Sequence, residues 1–226
     1  MLIQWKYTFV VNALISHGGF MKTTSRLLLL LLLLPQMALA EFHVEPYLGY
    51  AFESSSQQTS TTKYEWSSSY IEFGGRAGYE MLGLSLGVDY NLTPGGRDFE
   101  QDAPATTTQD KSEWKGHNFG LFVGYELPIM LRVYATYYLS SKLKVDSDKD
   151  GDATNDVGDE YSGNGFNLGV GFTGLPFVSI NLEYRHNSYD ELKDVASGVT
   201  TKYPNLGVQE RKNNAVLLSV SLPLHL

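Results

Sequence analysis

From residue 42 onward, apolar and polar positions alternate with period two, the repeat of a β-strand whose two faces meet unlike surroundings. The third such segment is the cleanest: Leu82, Leu84, Leu86, Val88, Tyr90 and Leu92 alternate with Gly83, Ser85, Gly87, Asp89 and Asn91. The same pattern marks residues 44–52, 71–80, 118–126, 131–140, 166–173, 178–185 and 215–226. In the fifth segment the inward set is Arg132, Tyr134, Thr136, Tyr138 and Ser140, and in the fourth Phe122 is the one bulky residue on the polar face. These segments predict eight strands.

The connections alternate as well. Tight turns are predicted around Met81, Leu127-Pro128 and Gly174-Leu175-Pro176. The other connections, near 54–69, 93–113, 141–161 and 187–210, are long and rich in Ser, Thr, Asp, Gly and Lys. Short turns at one rim and long polar loops at the other are the pattern of outer-membrane barrels, short on the periplasmic side and long outside. The expected fold is all-β: an eight-stranded antiparallel up-and-down transmembrane β-barrel, with no additional domain.

Alternation alone also describes a soluble barrel that turns its apolar face inward around a ligand. The polar face decides between them. Facing water, it would be dense in Lys and Glu and poor in Gly, which weakens strands. Instead it carries Gly, Ser, Asn and Thr with a few charges of both signs, which suits a narrow lumen. The apolar face holds no charge through the middle of any segment, where a Lys or Arg facing lipid would cost about 2–4 kcal/mol. Tyr50, Tyr79, Tyr90, Tyr125 and Tyr184 lie near segment ends on that face, as an interfacial aromatic girdle requires.

The N-terminus reads as an export signal. Met21 to Arg26 supplies a cationic start, Leu27 to Leu34 an unbroken leucine run, and Ala38-Leu39-Ala40 the small residues of a cleavage site. The run is too short for a membrane-spanning helix, which takes about 20 residues. Residues 21–40 are therefore expected to be a signal peptide and 41–226 the barrel. Residues 1–20, ahead of Met21, read as a start-site artefact. Removing the first forty residues takes Lys6, Lys22 and Arg26 from the 17 basic residues and none of the 25 acids, leaving 14 against 25, or −11. Such a balance speaks against nucleic acid. With no Cys, disulfides and thiolate chemistry are excluded.

Over residues 42–226 the chain resembles the eight-stranded outer-membrane barrels of the OmpX and OmpA transmembrane type. The resemblance includes a last strand of alternating apolar residues that the barrel-assembly machinery recognises, although this chain ends in Leu226 where those proteins end in Phe. It implies an outer-membrane location, contact with outer-membrane lipid and lipopolysaccharide, and a monomer.

Three constellations carry candidate chemistry. Glu72, Arg76, Glu80, Asp89, Glu126, Arg132, Glu183 and Arg185 share the inward face and are expected to form a lumen ion-pair network, since buried charges must be paired or hydrated. Glu126 and Arg132 flank one short turn and could meet directly there. Asp146, Asp148 and Asp150, followed by Gly151 and Asp152, match the first half of a calcium loop, but position twelve is Val157. No cofactor is expected beyond weak Ca2+ in this 146–152 loop. Finally, His186, Ser188 and Glu210 share the outward parity at the tops of the last two segments, the residue types of a hydrolase triad. They resemble the lipid A deacylase family of outer-membrane barrels, and Pro204-Asn205-Leu206-Gly207 resembles that family's Pro-Asn-x-Gly segment. Tyr189 stands where the family has Asn, and Glu210 falls one residue late. The reading of the whole chain is a non-enzymatic barrel serving envelope integrity, surface interaction or slow small-solute, porin-like passage. The alternative is a deacylase using His186, Ser188, Glu210 and Asn205.

Overall fold

Alternating faces become long antiparallel strands in a computed structural model, which describes residues 40–60, 63–101, 111–148, 157–205 and 207–226. The expected leader at 21–40 and the residues before it lie outside the described residues, Ala40 excepted. The strands are β1 (Glu41–Gln58), β2 (Lys63–Met81), β3 (Leu84–Gln101), β4 (Lys111–Leu127), β5 (Leu131–Asp148), β6 (Glu160–Leu175), β7 (Val178–Lys193), β8 (Thr200–Lys202), β9 (Arg211–Ser221) and β10 (Leu224–His225). Consecutive strands pair from β1 to β7. Strand β9 then pairs with β7 on one side and β1 on the other, so the sheet closes on itself. Beyond Pro223, β10 continues that last strand along β1 through Val44↔Leu224 and His43↔His225.

One rim holds the short turns. Leu82 and Gly83 both adopt positive φ (54° and 78°), as a two-residue hairpin turn between twisted strands demands. Met130 and Phe177 hold comparable left-handed positions in the other two turns.

Parity separates the faces. On β1, His43, Glu45, Tyr47, Ala51, Glu53 and Ser55 are buried inside, while Leu48, Tyr50 and Phe52 are exposed outside. The same division runs through Leu86, Leu121, Val133, Leu168, Leu182 and Leu218, which form an outward apolar belt. Inward glycines make room for tyrosine rings: a Cβ at Gly74 would lie 2.2 Å from Tyr47 Cζ, and one at Gly169 equally close to Tyr134 Cζ.

Two expectations need correction. The strands run far beyond the apolar segments, and β1 and β2 stay paired out to Gln58↔Lys63, inside a stretch expected to be loop. Ladder hydrogen bonds need no apolar side chains, so the period-two hydrophobic signal stops where the outward face leaves lipid, while the strand does not. Ser140 also does not continue the inward set of β5. A bulge pairs Phe119 with Ser140 and Gly120 with Tyr138, leaving Leu139 as the extra residue. Parity flips there. Ser141, Leu143 and Val145 are the residues that turn inside.

Candidate functional site

Inward parity on β2, β5 and β7 brings three guanidinium groups into one interior. Arg76, on β2, is fully buried. Its Nη2 donates to Glu183 Oε1 at 2.9 Å and its Nη1 to Glu45 Oε1 at 3.4 Å, while Nε lies 3.5 Å from Asp89 Oδ2. Arg132 reaches across the interior and grips both oxygens of Glu45, Nη1 to Oε2 at 2.7 Å. Arg185 forms the same two-armed pair with Glu72, Nη2 to Oε1 at 2.7 Å. Bidentate pairing fixes orientation as well as charge.

Neutral groups extend the network. Glu183 accepts from Asn167 Nδ2 at 2.6 Å and Ser219 Oγ at 3.2 Å. Asp89 accepts from the Tyr47 hydroxyl and Thr136 Oγ1, each at 3.1 Å. The Arg76 guanidinium lies over the Tyr134 ring at 4.3 Å and the Tyr47 ring at 4.6 Å. Such satisfaction matters because an isolated buried charge costs several kcal/mol.

Of the inward charges named from sequence, Arg76, Asp89 and Glu183 meet directly, and Arg185 with Glu72 forms a pair beside them. Glu80 lies at the short-turn rim, where it accepts from Ser85 Oγ at 3.1 Å and faces His225. Glu126 is in register with Arg132, as the turn requires, yet its side chain is exposed. Arg132 points into the interior because Glu45 offers it a desolvated, two-oxygen partner there. The hub residue Glu45 was missed, although its parity with Tyr47 and Ala51 marked it. Nothing in the sequence distinguished the interior tyrosines from those of the girdle except that same parity.

A second packed layer lies toward the long connections. Trp114, Leu143, Val145, Tyr161 and Tyr189 are buried together, with Trp66, Leu192 and Tyr203 against them. The Arg211 guanidinium lies 4.7 Å from the Trp114 ring centre and 4.8 Å from that of Trp66.

The hydrolase candidates share the outer surface without forming a relay. His186 Nδ1 is 2.8 Å from Asn214 Oδ1, so an amide, not a carboxylate, orients the ring. Ser188 Oγ makes no hydrogen bond to His186, and the carboxylate it approaches is that of Glu210. Glu210 pairs with Lys212 at 3.0 Å, and Lys212 holds its carboxyl below the usual carboxylate range, with Ser188 and His186 close enough to add to the shift. Asn205 lies in an exposed turn, exchanging backbone hydrogen bonds with Val208. A nucleophile without a hydrogen-bonded base is not activated. As for the acidic loop, Asp146 is paired with Lys115 at 2.8 Å, Asp148 ends β5, and Asp150 lies outside the described residues.

A closed antiparallel sheet, apolar outside and charged within, defines a barrel-type protein of the outer membrane. The chain belongs to the outer membrane protein beta-barrel domain family, whose model matches residues 26–220. No curated protein sequence matches it. Among solved structures it is similar to the outer membrane protein AlkL in DMPC lipid bilayers (TM-score 0.51, 8% identity, 83% of this chain and 91% of that one). It is also similar to Neisserial surface protein A (TM-score 0.44, 17% identity, 81% and 97% covered). A third similar structure is OprG from Pseudomonas aeruginosa (TM-score 0.48, 12% identity, 83% and 97% covered). The protein is an outer-membrane protein.

Proposed function

We propose that residues 41–226 form an eight-stranded, monomeric transmembrane barrel that is non-enzymatic and closed to solutes, acting in envelope integrity and surface interaction. The observation that carries this reading is the full burial of Arg76 among Glu45, Asp89, Glu183 and the Tyr47 and Tyr134 rings. An eight-stranded interior is just wide enough for side chains to fill. The charged layer and, toward the long connections, the Trp114–Tyr161–Tyr189 layer pack side chains into the interior at two heights, which supports a closed barrel. That packing favours structural and surface roles over porin-like passage.

In the proposed orientation the short turns, the start of β1 and the end of β10 face the periplasm, and the extended hairpins face outward. Their surface is polar: Ser54, Gln58, Lys63 and Glu65 on the β1–β2 hairpin, and Lys115 of β4 paired with Asp146 of β5 where the next two hairpins lie side by side. Lipopolysaccharide and outer-membrane lipid would surround the belt, and the barrel-assembly machinery would insert it. Residues 21–40 would serve as the export signal, and residues 1–20 as untranslated sequence upstream of Met21. The test is electrical. Purified protein reconstituted in planar lipid bilayers is expected to give no conductance steps; regular steps from the wild-type protein would overturn the closed-barrel reading.

A further inference from the structure

Where the first and last strands meet at the short-turn rim, three metal-ligating side chains converge. His43 lies near the start of β1, Glu80 near the end of β2, and His225 on β10. One ligand atom from each lies within 4.8 Å of the others. His225 Nε2 is 3.3 Å and His43 Nδ1 3.8 Å from Glu80 Oε2. We propose that His43, Glu80 and His225 bind a divalent transition cation of the zinc class.

The donor set comes first. Two imidazoles and one carboxylate with an open fourth position make up a common zinc arrangement, and imidazole selects such ions over Ca2+ and Mg2+, which take oxygen ligands. Spacing is the second argument. Four-coordinate zinc with bonds of about 2.0–2.1 Å holds its donors about 3.3–3.4 Å apart. The Glu80–His225 edge already has that length. The remaining edges, 3.8 Å from Glu80 to His43 and at most 4.8 Å between the histidines, must shorten on binding, and His225, whose side chain is 39% exposed, is the least confined of the three.

An independent observation separates this site from an ordinary His–Glu pair. With no cation, His225 donates to Glu80 and that contact is complete. His43, however, is 1% exposed and its Nδ1 has no hydrogen-bond partner. Other interior atoms also lack a hydrogen-bond partner, Arg76 Nε and Asn213 Oδ1 among them, but His43 Nδ1 faces a carboxylate and a second imidazole, where a shared ligand would satisfy it. The supports around it are those of a metal site. His43 Nε2 is 3.2 Å from Glu45 Oε2, so the ring donates there and leaves the Nδ1 lone pair directed at the cluster. A carboxylate behind a ligating histidine fixes its tautomer and raises its basicity. Ser85 Oγ steadies Glu80 from the other side at 3.1 Å. A bound cation would tie β10, which follows the break at Pro223, to β1 and β2 and so pin the seam where the sheet closes.

The test uses membrane-extracted protein in detergent micelles, without a histidine tag, titrated with Zn2+ in competition with a chromophoric chelator. One saturable site is expected, undisturbed by excess Ca2+. His225→Ala and Glu80→Gln are expected to weaken it at least tenfold, whereas Glu126→Gln on the same rim leaves it unchanged. Co2+ in place of Zn2+ should give the visible absorption of a four-coordinate nitrogen–oxygen site, lost in His225→Ala. Because His225 is partly exposed, the alanine variant is expected to fold, and its heat-modifiable gel migration checks this. Absence of saturable Zn2+ binding by the folded wild-type protein would overturn the proposal. So would titrations of His225→Ala and Glu80→Gln that match wild type.

Discussion

Arg76 shows what a single residue does in this interior. Its guanidinium neutralises parts of Glu45, Asp89 and Glu183 at once. Glu45 keeps Arg132 if Arg76 is lost, but Asp89 would lose its only cation within 4 Å among the described residues. Breaking a buried pair by removing one partner typically costs about 3–5 kcal/mol. Arg76→Met is therefore expected to destabilise the barrel on that scale in urea unfolding from lipid vesicles. The exposed Glu126 sets the contrast, and Glu126→Gln is expected to stay within about 0.5 kcal/mol. At the outer surface, His186 is oriented by Asn214 and makes no hydrogen bond to Ser188. Lipid A from cells expressing the wild-type protein and from cells expressing Ser188→Ala should give the same mass spectrum. Loss of one acyl chain only with the wild-type protein would restore the deacylase reading.

Each strand has two lengths, one set by hydrogen bonding and one by lipid. On β3, Leu86 is outward and central to the apolar belt. On β1, Ser54 is equally outward and exposed but lies above the belt, paired with Ser67 and Asn214. Leu86→Arg is expected to cost about 2–4 kcal/mol at the bilayer midplane, and Ser54→Arg about 0–1 kcal/mol near or beyond the interface. Folding yields into vesicles measure both, and equal tolerance would contradict a lipid-facing belt. The β5 bulge shows how an element departs from strict alternation. By absorbing Leu139 it sends Leu143 and Val145 inward, where they build the upper layer with Trp114 and Tyr161.

For the whole molecule, closure removes the unpaired edges that an open sheet of this length would expose. Strand β9 makes that closure with β1 over Tyr47↔Ser221 to Ser56↔Lys212. Export must precede closure, and the proposed signal predicts a mature chain beginning at Glu41. N-terminal sequencing of the membrane-extracted protein checks this, and a terminus upstream of Met21 would defeat both the signal and the start-site argument.

Period-two alternation determined the strand class and the order of short and long connections, and the Gly, Ser, Asn and Thr of the polar face determined which face turns to lipid. They could do so because lipid and a crowded lumen impose opposite demands on neighbouring residues. The same parity placed Arg76, Asp89, Glu183, Arg185 and Glu72 together on the inward face. Pairing was another matter. Arg132 chooses Glu45 across the interior over Glu126 beside it, and His43 meets Glu80 and His225 only where the sheet closes. Those contacts depend on register between strands far apart in sequence and on which partner is desolvated. Both are properties of the closed sheet, which no single segment of the chain contains.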